Sequence, residues 1–436
     1  MGMLLLATAF LLCACGEEQA RIDTPTVHVL NQDGTDVEKS APVSAAGGES
    51  GHVVTLTPAT GYEAPLIVEE KSVSGGKDRL DSLKKKKKEA GLDDASVKKC
   101  MEKQKGRYMY DMMDERLRPL YAEILLILNA HEKDILVSAE DAEDLQTAFL
   151  CLFQDHPELY WIDGYSYSRF GNAGNDLFFT FSGKYTYSAE ECAKMKPQIE
   201  NYVNLCLSGI PAGADTYDKV KHVYEYLIRT TEYQIGSIDN QNILSVFLHG
   251  QSVCQGYAKA LQYLLEELDI PCTMVVGKVH GGEGHAWNLV NIDGAYYYVD
   301  ATWGDAGYLS GTNSTKAGRE EINYNYLNVT TEEISLTHDM DNVVPLPYCV
   351  AVEANYYVRE GCCFTLYEPA VLRKLFADAA AFGEGHVSIK CIGEECYEMT
   401  KDYLLDNKEI FNLIPGNVSS VDYTTDDQLH ILSFWF

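Results

Sequence analysis

Apolar residues recur at helical spacing from Tyr108 to about Asp155, first in MYDMMDERLRPLYAEILLILNA and then, after a capping-box-like SAED, in LQTAFLCLFQ. The next stretch, LYWIDGYSYSRFGNAGNDLFFTFSG, alternates aromatic and polar positions on both sides of a Gly/Asn loop, which predicts a hairpin. Two more helices are expected over about 189–207 and 215–231. The second carries Val220, Val223, Tyr224, Leu227 and Ile228 on one face, with Thr216 as its cap. Beyond residue 354, NYYVRE, HVSIKCI and LHILSFWF read as strands separated by helices around 368–381 and 395–405, a small α/β unit with its own sheet. Taken together the pattern is α+β.

The stretch 249–303 is the most informative. In HGQSVCQGYAKALQYLLEELDIP, apolar residues recur at Tyr257, Ala258, Leu261, Leu264, Leu265 and Leu268, and Ile270-Pro271 ends the helix. Ser252 is the expected N-cap, which places Cys254 in the first turn, where free N–H groups and the helix dipole favour a thiolate. Downstream, GHAWNLVNIDGAYYYVDATWGD has two strand-like runs around Asp293-Gly294, the dipeptide of a two-residue type I′ turn. That turn sets Ile292 opposite Ala295 and, counting outward, Trp287 opposite Asp300. His285 and Asp300 then share one face as diagonal neighbours, roughly 5.5–8 Å apart at the backbone, within reach of a hydrogen bond. The other face, with Ala286, Val290, Ile292, Ala295, Val299 and Ala301, is apolar and is expected against the core, leaving the His285 face for the helix of Cys254.

A thiol, an imidazole and a carboxylate in this relation make an activated nucleophile. His285 takes or shares the Cys254 proton, and Asp300 holds the ring tautomer. The backbone N–H of Cys254 and the side chain of Gln251 are candidate donors to an oxyanion, and Tyr257, Trp287 and Trp303 are candidates to line a substrate cleft. A metal set of Cys254, Cys272, His280 and His285 competes for the same residues. Cys272 lies in a strand-like apolar run, and the set lacks the close paired spacing of structural zinc sites, so no metal or other cofactor is expected.

The blocks GQSVCQGYAKAL, GHAWNLV and YYYVDATWGD together resemble the three signature blocks of the transglutaminase-like superfamily, firmly over about 215–305. The resemblance implies a papain-like core, a cysteine-bearing helix packed on an antiparallel sheet that carries histidine and aspartate. It implies a domain over 185–345 with Cys254, His285 and Asp300 as its catalytic residues. It also implies acyl transfer through a Cys254 thioester on amides of proteins or cell-wall peptides. Gln255 stands where animal transglutaminases have Trp, so proteolysis, deamidation and cross-linking all stay open. From another class, a cell-envelope binding or scaffold module with an idle triad fits the same blocks. An arylamine acetyltransferase shares this kind of triad, but nothing in the chain suggests a coenzyme A site.

Length and charge narrow the setting. A chain of 436 residues with 46% hydrophobic residues should form two or three globular units. The formal net charge of -30 argues against a nucleic-acid partner, and the one basic run, LKKKKKEAGLDD at 83–94, reads as a solvated segment. The N-terminal run Met3–Leu12 has the length of a signal-peptide core, although no Lys or Arg precedes it. Leu12, Ala14 and Cys15 resemble a lipobox, so residues 1–15 are expected to be a lipoprotein-type signal, with Cys15 lipidated and the protein tethered outside the cytoplasm on a bacterial membrane. Residues 16–106 are then a tether or loosely ordered region, 107–184 a helical segment with the hairpin, and 350–436 the C-terminal α/β domain. Of thirteen cysteines, eleven remain once Cys13 and Cys15 are set aside, so at least one stays unpaired within the chain.

Overall fold

In a computed structural model, residues 27–32, 36–39, 62–73, 77–171, 177–282, 284–305 and 322–436 are described. The expected signal segment and Cys15 lie outside the described residues. Among those described, no helix is long and apolar enough to cross a membrane.

The chain opens with β1 (Val27–Asn31), β2 (Val37–Lys39) and β3 (Leu66–Val73), then α1 (Lys77–Glu89), α2 (Asp94–Gln104), α3 (Tyr108–Met112) and α4 (Arg118–Asn129). For its described residues this corrects the expectation of a tether over 16–106, of which 16–26 and 40–61 lie outside the described residues. The lysine run is helical, because Leu83 is buried and Lys87 forms an ion pair with Glu123 on α4 at 2.5 Å, so one face of α1 is docked while the rest is solvated. Next come β4 (Ile135–Val137), α5 (Ala142–Asp155), β5 (Ile162–Phe170) and β6 (Phe178–Tyr185), which with β3 form a sheet in the order β3-β5-β6-β4. β5 and β6 are the predicted hairpin. Its alternation turns Tyr165 and Phe181 inward, their rings stacked at 4.9 Å, under Phe149 of α5.

α6 (Ala189–Ser208) and α7 (Thr216–Thr230) fall where the periodicity places them. The cap of α7 is Asp215, not Thr216, since the Thr216 hydroxyl donates instead to Asp293 in the hairpin turn at 2.7 Å. After the short parallel pair β7 (Glu232–Tyr233) and β8 (Gln251–Ser252) comes α8 (Cys254–Glu266). The central antiparallel sheet follows, built from β9 (Cys272–Val279), β10 (Gly284–Ile292), β11 (Ala295–Val299), β12 (Leu327–Val329) and β13 (His338–Met340) in the order β12-β11-β10-β9-β13, with the short helix α9 (Ala301–Gly304) after β11. Asp293 and Gly294 both have positive φ, 52° and 94°, as a type I′ turn requires, and Ile292 pairs with Ala295 as expected.

Helix α8 packs on the face of β10 opposite to the one expected. Asn288 donates its side-chain amide to the Ala258 carbonyl at 2.9 Å, and Val290, Ile292 and Val299 share a core with Tyr257, Leu261 and Leu264. The physical reason is the apolar character of that face: the helix is itself the core expected there. The Trp287 and Leu289 face is covered instead by Trp303, Tyr326 and Ile334.

The C-terminal unit has β14 (Cys363–Phe364), β15 (His386–Cys391), β16 (Ser420–Asp426) and β17 (Ile431–Trp435), with helices Pro369–Phe382 and Glu394–Lys401 between them. Two features were not foreseen. NYYVRE is helical over Tyr356–Arg359 because Asn355 caps it, accepting from the Tyr357 N–H. The sheet also runs β14-β15-β17-β16-β1-β2, so the N-terminal strands complete the C-terminal sheet by pairing β1 with β16. All eleven described cysteines are free thiols.

Candidate active site

Cys254 opens α8 and is fully buried. Ser252 does not cap that helix: it belongs to β8, and its hydroxyl meets Ser245 at 2.7 Å, leaving Val253 in the cap position with no side-chain bond. A Cβ on Gly256 would lie 1.9 Å from that Ser252 hydroxyl, so a glycine is needed where the first turn crosses β8. The helix start thus offers unpaired backbone N–H groups beside the thiol.

His285 lies near the start of β10, and Asp300 follows the last residue of β11. The β10–β11 ladder is recorded from Ile292–Ala295 out to Asn288–Val299; beyond it Asp300 caps α9, accepting the Thr302 and Trp303 N–H groups on Oδ1 at 2.9 and 3.1 Å. Its other oxygen, Oδ2, is 2.7 Å from His285 Nε2. A carboxylate only accepts, so Nε2 carries a proton. Nδ1 of His285 is buried with no hydrogen-bond partner, and Cys254 is the neighbour that acts most on the imidazole after Asp300. Although α8 lies on the opposite face, Cys254 is at the very tip of the helix and so comes close enough to act on the ring.

Electrostatics follow from burial and these contacts. Burial alone would push the His285 imidazole down, but the Asp300 carboxylate and then Cys254 outweigh it and raise the pKa to about 10. Burial alone would push Asp300 up, and His285 with His338 instead holds the carboxyl well below its usual range. Each partner therefore favours the charged form of the other.

His338 was not anticipated. It lies on β13, and its Nε2 is 3.2 Å from the same Asp300 Oδ2. No motif in SLTHDM marks it. It arrives because β13 pairs with β9, an approach that Gly277 permits, since a Cβ there would lie 2.0 Å from the Asp339 carbonyl. His285, Asp300 and His338 bring three possible ligand atoms within 4.8 Å of one another, the only such group of three among the described residues. The 2.7 Å between His285 and Asp300 is a hydrogen-bond length, whereas two ligands of a tetrahedral zinc stand roughly 3.3 Å apart. Neither Cys272, bonded to Asn288, nor the half-exposed His280, paired with Asp339 at 3.4 Å, joins this group.

Tyr62 is the second residue missed, and again no local pattern pointed to it. Its segment is held by the Glu63 N–H, which donates to the Gln241 side chain at 3.0 Å. Its ring lies against Gly284, and burial followed by the proximity of Cys254 pushes its hydroxyl up to about 12. Of the expected cleft residues, Trp287 stacks on His285 and Trp303 lies tilted against His338, with ring centroids 5.8 and 4.7 Å apart, and both are buried. They wall the His–Asp–His group. Tyr257 is buried and donates to the Thr231 carbonyl at 2.9 Å, and Gln251 donates to Glu232 at 3.3 Å.

A cysteine at a helix tip, beside a histidine held by a carboxylate on an antiparallel sheet, defines the thiol-site class of the papain-like and transglutaminase-like fold. Residues 208–301 match the family model described as the transglutaminase-like superfamily. Among solved structures, the chain is similar to a TGase (16% identity, 38% of this chain and 48% of that one, TM-score 0.24). It is also similar to a candidate cysteine protease from Cytophaga hutchinsonii (18%, 29% and 51%, 0.22). A third likeness is to the periplasmic domain of TgpA from Pseudomonas aeruginosa (16%, 32% and 60%, 0.21). The match spans about half the length of the first two. No curated protein matches the chain.

Proposed function

We propose that this chain is a thiol-dependent acyl-transfer enzyme acting on amide bonds of proteins or cell-wall peptides. The observation that carries the reading is the buried His285–Asp300 bond of 2.7 Å beside a cysteine at a helix tip. The Cys254 sulfur, its proton held by His285 Nδ1, adds to the amide carbonyl carbon, with backbone N–H groups of the first turn of α8 receiving the oxyanion. His285 passes its proton to the leaving nitrogen, the C–N bond breaks and a Cys254 thioester remains. Water or an amine then attacks the thioester, its proton going to His285, the C–S bond breaks and Cys254 leaves as the thiolate. Asp300 stays ionised throughout and stabilises the imidazolium. Water as acceptor gives a protease or deamidase, and an amine gives a cross-linking enzyme. The same proposal places the protein outside the cytoplasm, held to a bacterial membrane through a lipid on Cys15.

Iodoacetamide kinetics test the site. Rapid alkylation of Cys254 at pH 6 that disappears in His285→Ala supports the enzyme. A rate no faster than that of an ordinary free thiol favours an idle triad in a binding module. Mass spectrometry of cell-envelope peptides incubated with the protein then selects the activity, since cleavage adds water, deamidation adds about 1 Da and cross-linking removes ammonia.

A further inference from the structure

Asp300 is the acceptor for four donors. Oδ1 takes the N–H groups of Thr302 and Trp303, and Oδ2 takes Nε2 of His285 at 2.7 Å and Nε2 of His338 at 3.2 Å. A carboxylate has about four lone-pair sites, so its capacity is filled and its orientation fully determined. Three of these donors come from β10 and α9, elements local to the signature blocks. The fourth comes from β13, a strand brought in only by pairing with β9.

We propose that His338 is a positioning residue of the thiol site, its Nε2–H holding Asp300 Oδ2 on the line along which that oxygen receives His285, so that the working unit is Cys254–His285–Asp300–His338. The proposal rests on the reading of Cys254 as a nucleophile given above.

The tautomer follows from the partners. Asp300 cannot donate, so the proton of His338 is on Nε2, and Nδ1 accepts from the Thr337 hydroxyl at 2.7 Å. His338 is buried and enclosed by Trp287, Trp303 and Tyr326, with ring centroids 4.9, 4.7 and 5.8 Å away. Burial holds its pKa below the usual value, so the ring is neutral at physiological pH. A neutral donor is what the geometry requires. It fixes the carboxylate without cancelling its charge, and the full negative charge remains to stabilise the imidazolium of His285. A cation at the same place would compete with His285 for Asp300.

The experiment compares the rate of Cys254 alkylation by iodoacetamide in the full chain and in variants at residue 338. His338→Leu removes the donor and is expected to slow the reaction roughly ten- to hundredfold, the effect of losing a hydrogen bond to a charged group. His338→Gln puts an amide N–H where Nε2 stands and is expected to restore most of the rate, whereas His338→Asn puts its amide at the position of Nδ1 and is not. A leucine variant as fast as the wild type overturns the proposal. Should the leucine variant fail to fold, equal rates for the glutamine and asparagine variants overturn it instead. Failure of the nucleophile reading looks different: the wild type itself reacts slowly, or His285→Ala reacts as fast as wild type.

Discussion

Lys259 lies five residues after Cys254 on α8, and Lys259→Met should stabilise the protein at neutral pH and flatten part of its pH dependence. The side chain is buried, with Nζ 3.3 Å from the centroid of the Phe153 ring. Burial lowers its pKa from 10.5 to about 7, against a smaller opposing effect of Glu158, which is itself paired with His156 at 2.7 Å. The folded-state value lies below the unfolded one, so between about pH 7 and 10.5 the unfolded chain holds a proton that the folded chain has released, and stability rises with pH. At about 1.4 kcal/mol per pH unit at full slope, the contribution from pH 7 to pH 9 comes to about 2 kcal/mol. Methionine keeps the stem packed on Phe153, needs no proton and should stabilise the fold by about 1–4 kcal/mol at pH 7. Urea unfolding of both proteins at pH 7 and pH 9 gives the assay. The difference between their pH dependences isolates Lys259 from every other titrating group. A methionine variant that is less stable at pH 7 and keeps the wild-type gain between pH 7 and 9 would refute the reasoning, since Lys259 would then be a stabilised cation.

Three further outcomes are expected. Asp300→Asn should slow alkylation of Cys254 and any turnover by about a thousandfold or more, because an amide in place of Oδ2 or Oδ1 turns an N–H toward donors and removes the charge that holds the imidazolium; activity within tenfold of wild type contradicts the role given to the carboxylate. Gly256→Ala should cost about 1–3 kcal/mol, because its Cβ would meet the Ser252 hydroxyl at 1.9 Å and the Asn240 carbonyl at 3.0 Å; an unchanged thermal midpoint argues that β8 yields freely. Tyr62→Ala should speed the reaction of iodoacetamide with Cys254, since the ring lies beside Gly284 and the thiol is buried in the core it packs on; an unchanged rate would show that Tyr62 does not cover the thiol.

The parts of the site that lie within one local motif were legible without a structure. Asp293-Gly294 sets a two-residue turn, the turn dictates the register out to Asn288–Val299, and that register leaves His285 and Asp300 on one side of the ribbon, where they bond. The periodicity after Cys254 likewise put the thiol at a helix start. Which side of the hairpin the helix covers was misjudged, because the apolar face called for a core and the sequence did not show that the helix is that core.

By itself, then, the chain determined most of its helices beyond residue 108, its two hairpins and the Cys–His–Asp set, since each depends on contacts near in sequence or on a turn with one geometry. Tertiary structure decided the rest. β1 joins the C-terminal sheet nearly four hundred residues away, and β13, three residues long, brings His338 to Asp300. Strands that short carry too little alternation to be read, and their pairing depends on which exposed sheet edge the folded core offers. The burial of Lys259 has the same origin: its place on α8 is local, but the ring of Phe153 that covers it belongs to α5.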